Sequence, residues 1–303
     1  MKKLFSKKKP LLIIALIAVV GIIAVLILYV YYLMDYNTYI ELSKIRPYNG
    51  TKRVAVLLSG KVRKGYEGCL WSQIIFIIHQ LKADVFFCLD GNETQETRQS
   101  IEHLLKPVAH VWSTDNLGQI VNNGMTDPTA ELMFKKIHDC NELKRRHELR
   151  NQFKYDVVVR LRPDLVVKDH IPLDVISNLL PRTVYYPKGT KFDILTSNPV
   201  IGITDEIAVG DSETMDIYAG VYKFIYPTYI KMLQAKKAIC PAAESMLSFY
   251  LAHAGLKSQH YYQRFVLFEK RLNRGNVFKA VFDWVKKAKY YPAHKCFYQN
   301  TFM

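Results

Sequence analysis

Tyr155-Asp156-Val157-Val158-Val159-Arg160-Leu161-Arg162-Pro163-Asp164-Leu165-Val166-Val167 runs from apolar residues into an Arg-x-Arg-Pro-Asp turn and back into apolar residues. A short β-branched run closed by a turn signal reads as a strand over Tyr155–Leu161, and an unbroken apolar stretch needs cover on both faces of its sheet. The same reading applies outward. Arg53–Ser59 (RVAVLLS), Asp84–Leu89 and Val108–Trp112 are strands, while Trp71–Leu81, Thr94–Leu105 and Thr129–Phe153 carry helical patterns, the last with a heavily charged face. Strands alternating with helices imply crossover units and a mostly parallel sheet, so the expected class is α/β.

In open α/β sheets ligands lie outside the carboxyl ends of the strands. After the first strand stands Ser59-Gly60-Lys61-Val62-Arg63-Lys64-Gly65. Its glycines let backbone amides approach an anion and its cations supply counter-charge. Tyr66 and Glu67 follow Gly65, so the loop is neither a P-loop nor a dinucleotide fingerprint, and a plain solvated basic turn is the competing reading. After the Tyr155–Leu161 strand, alternation puts Arg160 and Arg162 on one face, where two guanidinium groups call for an anion between them. A diphosphate meets that need, and Asp164 beside it suggests a bridging divalent cation. The competing reading is a structural Arg–Asp network that closes the strand end.

These segments resemble a family of nucleotide-sugar glycosyltransferases with members in algae, protists, bacteria and large DNA viruses. The resemblance rests on Ser59-Gly60 with Arg63, on "YDVVVRLRPDLVV", on Thr204–Ser212 followed by a Glu213–Phe224 helix bearing Met215 and Tyr218, and on Pro241–Leu251 with Glu244. It implies a GT-A-like fold, a nucleotide-sugar donor and a glycan or glycoprotein acceptor. By that resemblance Ser59, Gly60, Arg63, Arg160 and Arg162 surround the nucleotide. Asp164, alone or with Asp90 at the end of the second strand, would take Mn²⁺ or Mg²⁺. The chain lacks the Asp-x-Asp common in such enzymes, and Pro241-Ala242-Ala243-Glu244 replaces the usual Pro-Glu, which leaves metal dependence and the role of Glu244 open.

Glycosyl transfer needs the leaving diphosphate stabilised and, for inversion, a carboxylate that deprotonates the acceptor hydroxyl. Asp205 or Glu206 is the expected base, the alternative being a turn before a strand. Asp211 and Ser212 read as a helix N-cap. Two other functions fit the same features: a type II membrane sulfotransferase, and a non-catalytic carbohydrate-binding relative. No H-E-x-x-H, C-x-x-C or G-x-S-x-G occurs, which argues against metalloproteases, thiol redox enzymes and serine hydrolases.

The 303 residues carry a formal charge of +15, which alone suggests nucleic acid. Its distribution argues against that partner. Lys2, Lys3, Lys7, Lys8 and Lys9 precede an uncharged run from Leu11 to Met34 that ends in tyrosines. As a helix that run spans roughly 36 Å, enough to cross a bilayer. The positive-inside rule keeps the tail cytosolic and sends the body across, giving a single-pass type II protein with a lumenal body in a Golgi or ER setting. Sequons at Asn49 and Asn92 are compatible with that placement. Five unclustered cysteines leave room for a disulfide or two. The expected organisation is a basic tail over 1–10, a signal anchor over 11–34, a stem over 35–51, a catalytic domain over 52–268 and an amphipathic extension over 269–303.

Overall fold

The computed structural model describes residues 48–63, 66–115, 128–188, 204–225 and 243–267, together with Gly21 and Leu26. The chain divides into two compact units, Met1–Arg46 and Pro47–Met303, and the second contains the sheet and its helices. Among the described residues no helix is long and apolar enough to cross a membrane. The anchor expected over 11–34 lies outside them apart from Gly21 and Leu26, both helical. The C-terminal extension and most of the stem also lie outside them.

Seven strands build the main sheet: β1 (Val54–Gly60), β2 (Asp84–Asp90), β3 (Ala109–Ser113), β4 (Val157–Leu161), β6 (Thr183–Pro187), β7 (Ile207–Gly210) and β8 (Lys257–Tyr261). Their order is β3-β2-β1-β4-β7-β6-β8, and β5 (Leu165–Val167) pairs separately with β9 (Phe265–Leu267). β1, β2, β3 and β4 are mutually parallel, whereas β7 runs antiparallel to both β4 and β6. The α/β expectation with a mostly parallel sheet therefore holds, with β7 as the reversed strand. The chain winds from β1 outward to β3 and then returns to place β4 on the other side of β1. That reversal is a topological switch point, where diverging connections leave a crevice above the strand ends.

Alternation along the strands sends side chains to two cores. Val54, Val56, Leu58, Val157, Val159 and Leu161 face one side. There they meet α1 (Tyr66–Gln73), its π-helical continuation Ile74–His79, and α2 (Gln95–Leu105). Ala55, Leu57, Val158 and Ala208 face the other side, under α3 (Pro128–Asn151), α5 (Ser212–Ala219), α6 (Val221–Phe224) and α7 (Ala243–His253). The remaining helix, α4 (Leu173–Ser177), is a single short turn. Helix starts follow capping chemistry: the Thr94 hydroxyl accepts from the Thr97 amide, and Asp211 Oδ1 accepts from the Thr214 amide at 2.7 Å. The N-cap expected at Asp211 is present.

The charged face of α3 is not simply solvated. Lys144 and Glu148 are buried where α5 packs on α3. Lys144 Nζ donates to Ser212 Oγ at 2.5 Å and to Asp216 Oδ1 at 2.9 Å. Glu148 Oε1 accepts from Ser212 Oγ at 2.6 Å and from the Tyr155 amide at 2.9 Å. A buried ion pair adds little net stability, but its fixed partners set the register of α5 and so of β7, which leads into it. Cys69, Cys88 and Cys140 are buried free thiols, so none of these three forms a disulfide; Cys240 and Cys296 lie outside the described residues.

Candidate active site

Three chain segments meet above the switch point: the loop after β1, the turn after β4 and the segment entering β7. The β4–β7 ladder (Leu161 opposite Ile207, Arg160 opposite Ala208) sets Asp205 and Glu206 beside Arg162, whose amide donates to the Glu206 carbonyl at 3.1 Å. Gly60 ends β1 at φ 141°, a backbone region that favours glycine, and a Cβ there would sit 3.1 Å from Pro163 Cδ. The two strand ends thus approach closely at a position where a side chain would be both strained and crowded. Gly60→Ala is expected to lower stability by about 1–3 kcal/mol through combined strain and crowding, as measured by urea unfolding.

Asp164 forms the hub of the charges. Arg162 grips its carboxylate with two bonds, Nε to Oδ1 at 3.0 Å and Nη2 to Oδ2 at 2.9 Å, while Arg63 Nε reaches Oδ2 at 2.8 Å. Arg162 Nη1 also contacts Asp205 Oδ2 at 3.3 Å. Burial pushes the Asp164 carboxyl up, but the two arginines outweigh it and hold it below the ordinary carboxylate range. For Arg162 burial disfavours the cation, and Asp164 and Asp205 reverse the balance and keep its pKa above that of ordinary arginine. Asp164 has a 4% exposed side chain, against 22% for Arg162 and 34% for Arg63. The arginines are therefore the members of this cluster that a solute can reach.

Glu206 behaves differently from Asp205. It is half-buried, and its Oε2 accepts from the Thr204 hydroxyl at 3.1 Å, while that hydroxyl accepts from the Glu206 amide at 3.1 Å. Burial first, and the adjacent Asp205 charge second, push its pKa up to about 7. A carboxyl that titrates near neutrality beside two arginines is equipped to take a proton from a substrate and return it to water. Asp205 is instead tied to Arg162.

Other expected residues fall elsewhere. Arg160 lies in β4 with its side chain on the Val158 face, 1% exposed under α3 and α5, while Arg162 stands beyond the strand end. The two guanidinium groups therefore do not flank one open anion position. Strand alternation stops applying once β4 ends at Leu161 and the chain turns at Pro163. Ser59 is buried on the same face as Arg160, and its Oγ has no hydrogen-bond partner.

Asp90 ends β2 and is paired with Lys136 of α3. Among the described residues no three His, Cys, Asp or Glu side chains form a metal-binding group. Mn²⁺ or Mg²⁺ fits Asp164 and Asp90 poorly, because each carboxylate already faces a cation that would repel it. Tyr261 is a core residue whose hydroxyl donates to Gln263 Oε1 at 2.9 Å, while Tyr262 is exposed.

Sequence reading missed two supports. Gln73 Nε2, at the end of α1, donates to the Arg162 carbonyl at 2.9 Å and the Leu165 carbonyl at 2.8 Å, which pins the Arg-Pro-Asp turn. Its signal was a lone amide opening the apolar run Ile74–Ile78. Thr204 was the other, legible only as a hydroxyl two residues before Glu206.

No family model matches the chain, and no curated protein matches it. Among solved structures, it is similar to the apo-form glycosyltransferase GlyE of Streptococcus pneumoniae TIGR4, at 12% sequence identity and a TM-score of 0.38. That match covers 80% of this chain and 52% of GlyE, so the chain spans about half the length of the structure it resembles. At such distance, the chemistry of the site rests on the residues of this chain.

Proposed function

We propose that the chain is a membrane-anchored, nucleotide-sugar-dependent glycosyltransferase with a GT-A-like body that acts on a glycan or glycoprotein acceptor. The observation that carries the reading is Glu206, a carboxyl titrating near 7 next to the Arg162–Asp164–Arg63 cluster at the switch point. In that role Glu206 accepts the proton of the acceptor hydroxyl as its oxygen bonds to the anomeric carbon. The bond from that carbon to the phosphate breaks, and its electron pair leaves on the diphosphate. Arg63, held by its Nε on Asp164, would answer the charge that develops there with its terminal nitrogens, and Arg162 would support it. Two arginines supply counter-charge that a divalent cation supplies elsewhere, so turnover is expected to persist in EDTA. The uncharged Leu11–Met34 run after five lysines supports a single-pass type II anchor with the body lumenal. The exposure of Asn49 and Asn92 agrees with that placement.

The test uses the full chain in mild detergent with UDP-, GDP- and CMP-sugars, in EDTA and in Mn²⁺, and follows release of free nucleotide. Release from one donor class is the expected result. If no sugar nucleotide is turned over and none raises the thermal midpoint, the reading fails. Stabilisation by adenosine 3′,5′-bisphosphate instead would favour the sulfotransferase. Stabilisation by a sugar nucleotide, without turnover on any acceptor offered, would favour a non-catalytic carbohydrate-binding relative.

A further inference from the structure

Arg160 is the largest fully buried side chain among the described residues, and Nε, Nη1 and Nη2 all lack a hydrogen-bond partner. A guanidinium cannot shed its charge by deprotonation, and an unpaired buried charge is strongly disfavoured. Two buried hydroxyls near it are also without partners. Leu57 of β1 and Ala208 of β7 flank Arg160 in the sheet, and Ala208 brings only a methyl group beside it. Ser59, two residues beyond Leu57 on the same face, brings an unpartnered Oγ. Tyr218 of α5 covers the spot: it is fully buried, its hydroxyl is unpartnered, and the charges of Arg160 and Asp205 both act on its phenol. Cys140 of α3 turns its thiol to the Leu58 and Phe86 carbonyls instead.

We propose that Arg160, Tyr218 and Ser59 hold a small inorganic monoanion, chloride being the abundant one. All three residues carry donor atoms without a partner, and the guanidinium supplies the cation. Arg160, Ser59 and Tyr218 are all buried, which favours a compact ion, whereas Arg63 and Arg162 are the arginines open to a larger anion. The site also acts on its neighbour. Glu206 is surrounded by Asp205 and Thr204 on its own segment and by Arg162 and Arg160 from β4. An anion on Arg160 screens one of the two cations that favour the ionised carboxylate, so Glu206 holds its proton to higher pH when the site is filled.

The site can be tested without the transferase reading. The thermal midpoint of the full chain is compared in sodium chloride and in sodium gluconate at equal ionic strength, for the wild type and for Arg160→Met. Saturating chloride, about a hundredfold above its Kd, should raise the wild-type midpoint by roughly 5–10 °C. Bromide and nitrate should substitute, and R160M should show the same midpoint in both salts. Should R160M fail to fold, chloride NMR line broadening by the wild type, competed by bromide and weakened in Tyr218→Phe, reads the same site. Equal wild-type midpoints in the two salts overturn the proposal, as does an R160M response as large as the wild type's. A shift produced by a nucleoside diphosphate but not by halide, and lost in R160M, also overturns it and makes Arg160 a donor contact.

Discussion

Glu206→Gln is expected to lower kcat by about 10²–10⁴-fold, the range a positioned general base contributes, and to leave donor binding unchanged. Glutamine keeps the size of the side chain and a carbonyl oxygen for the Thr204 hydroxyl but cannot accept the acceptor's proton. The pH profile gives the sharper signature. With its pKa near 7, Glu206 is protonated and inactive as a base below neutrality, so kcat/KM for the wild type should rise with pH through about 7. That rising limb should vanish in the variant. Asp205→Asn serves as the comparison, since Asp205 already answers Arg162. A larger loss in that variant, with the limb retained in Glu206→Gln, would make Asp205 the base.

Asp164→Ala is expected to cost about 3–5 kcal/mol of stability, because removing one partner of a buried pair leaves the other charge uncompensated. Arg162 carries most of that penalty; Arg63, a third exposed, adds little because water screens it. Urea unfolding of the variant measures the loss, and Asp164→Ala combined with Arg162→Met should recover part of it. The pH dependence has a fixed sign. The folded-state pKa of Asp164 is depressed, so its contribution is complete above the ordinary carboxyl value and fades as pH falls through the lowered folded value. A variant of unchanged stability that lost only nucleotide release would assign Asp164 to the ligand instead of to the turn.

The contrast between Asp164 and Glu206 shows how far residue types alone carry a reading. The Arg-x-Arg-Pro-Asp turn lies at the carboxyl end of β4, and the Thr204–Glu206 segment meets it there. Roles within the edge were less legible. Asp164 looked like a cation ligand, yet its oxygens are spent on Arg162 and Arg63. Arg160 looked like a partner of Arg162, yet it sits under α3 and α5. Gln73 contacts the turn from 89 residues away in sequence, a distance over which no local pattern speaks.

What the residues decide by themselves is periodic and local. Apolar runs of strand length alternate with helical patterns, which is enough for an α/β sheet, and Asp211 is a cap because its side chain reaches its own helix start. The strand order, the reversal at β7 and the state of each charge are set by contacts between distant segments. A pKa depends on burial and on the nearest charge, and both are properties of packing. The Glu206 pKa rises to about 7 because the β4–β7 ladder buries the carboxyl and sets it next to the Asp205 charge.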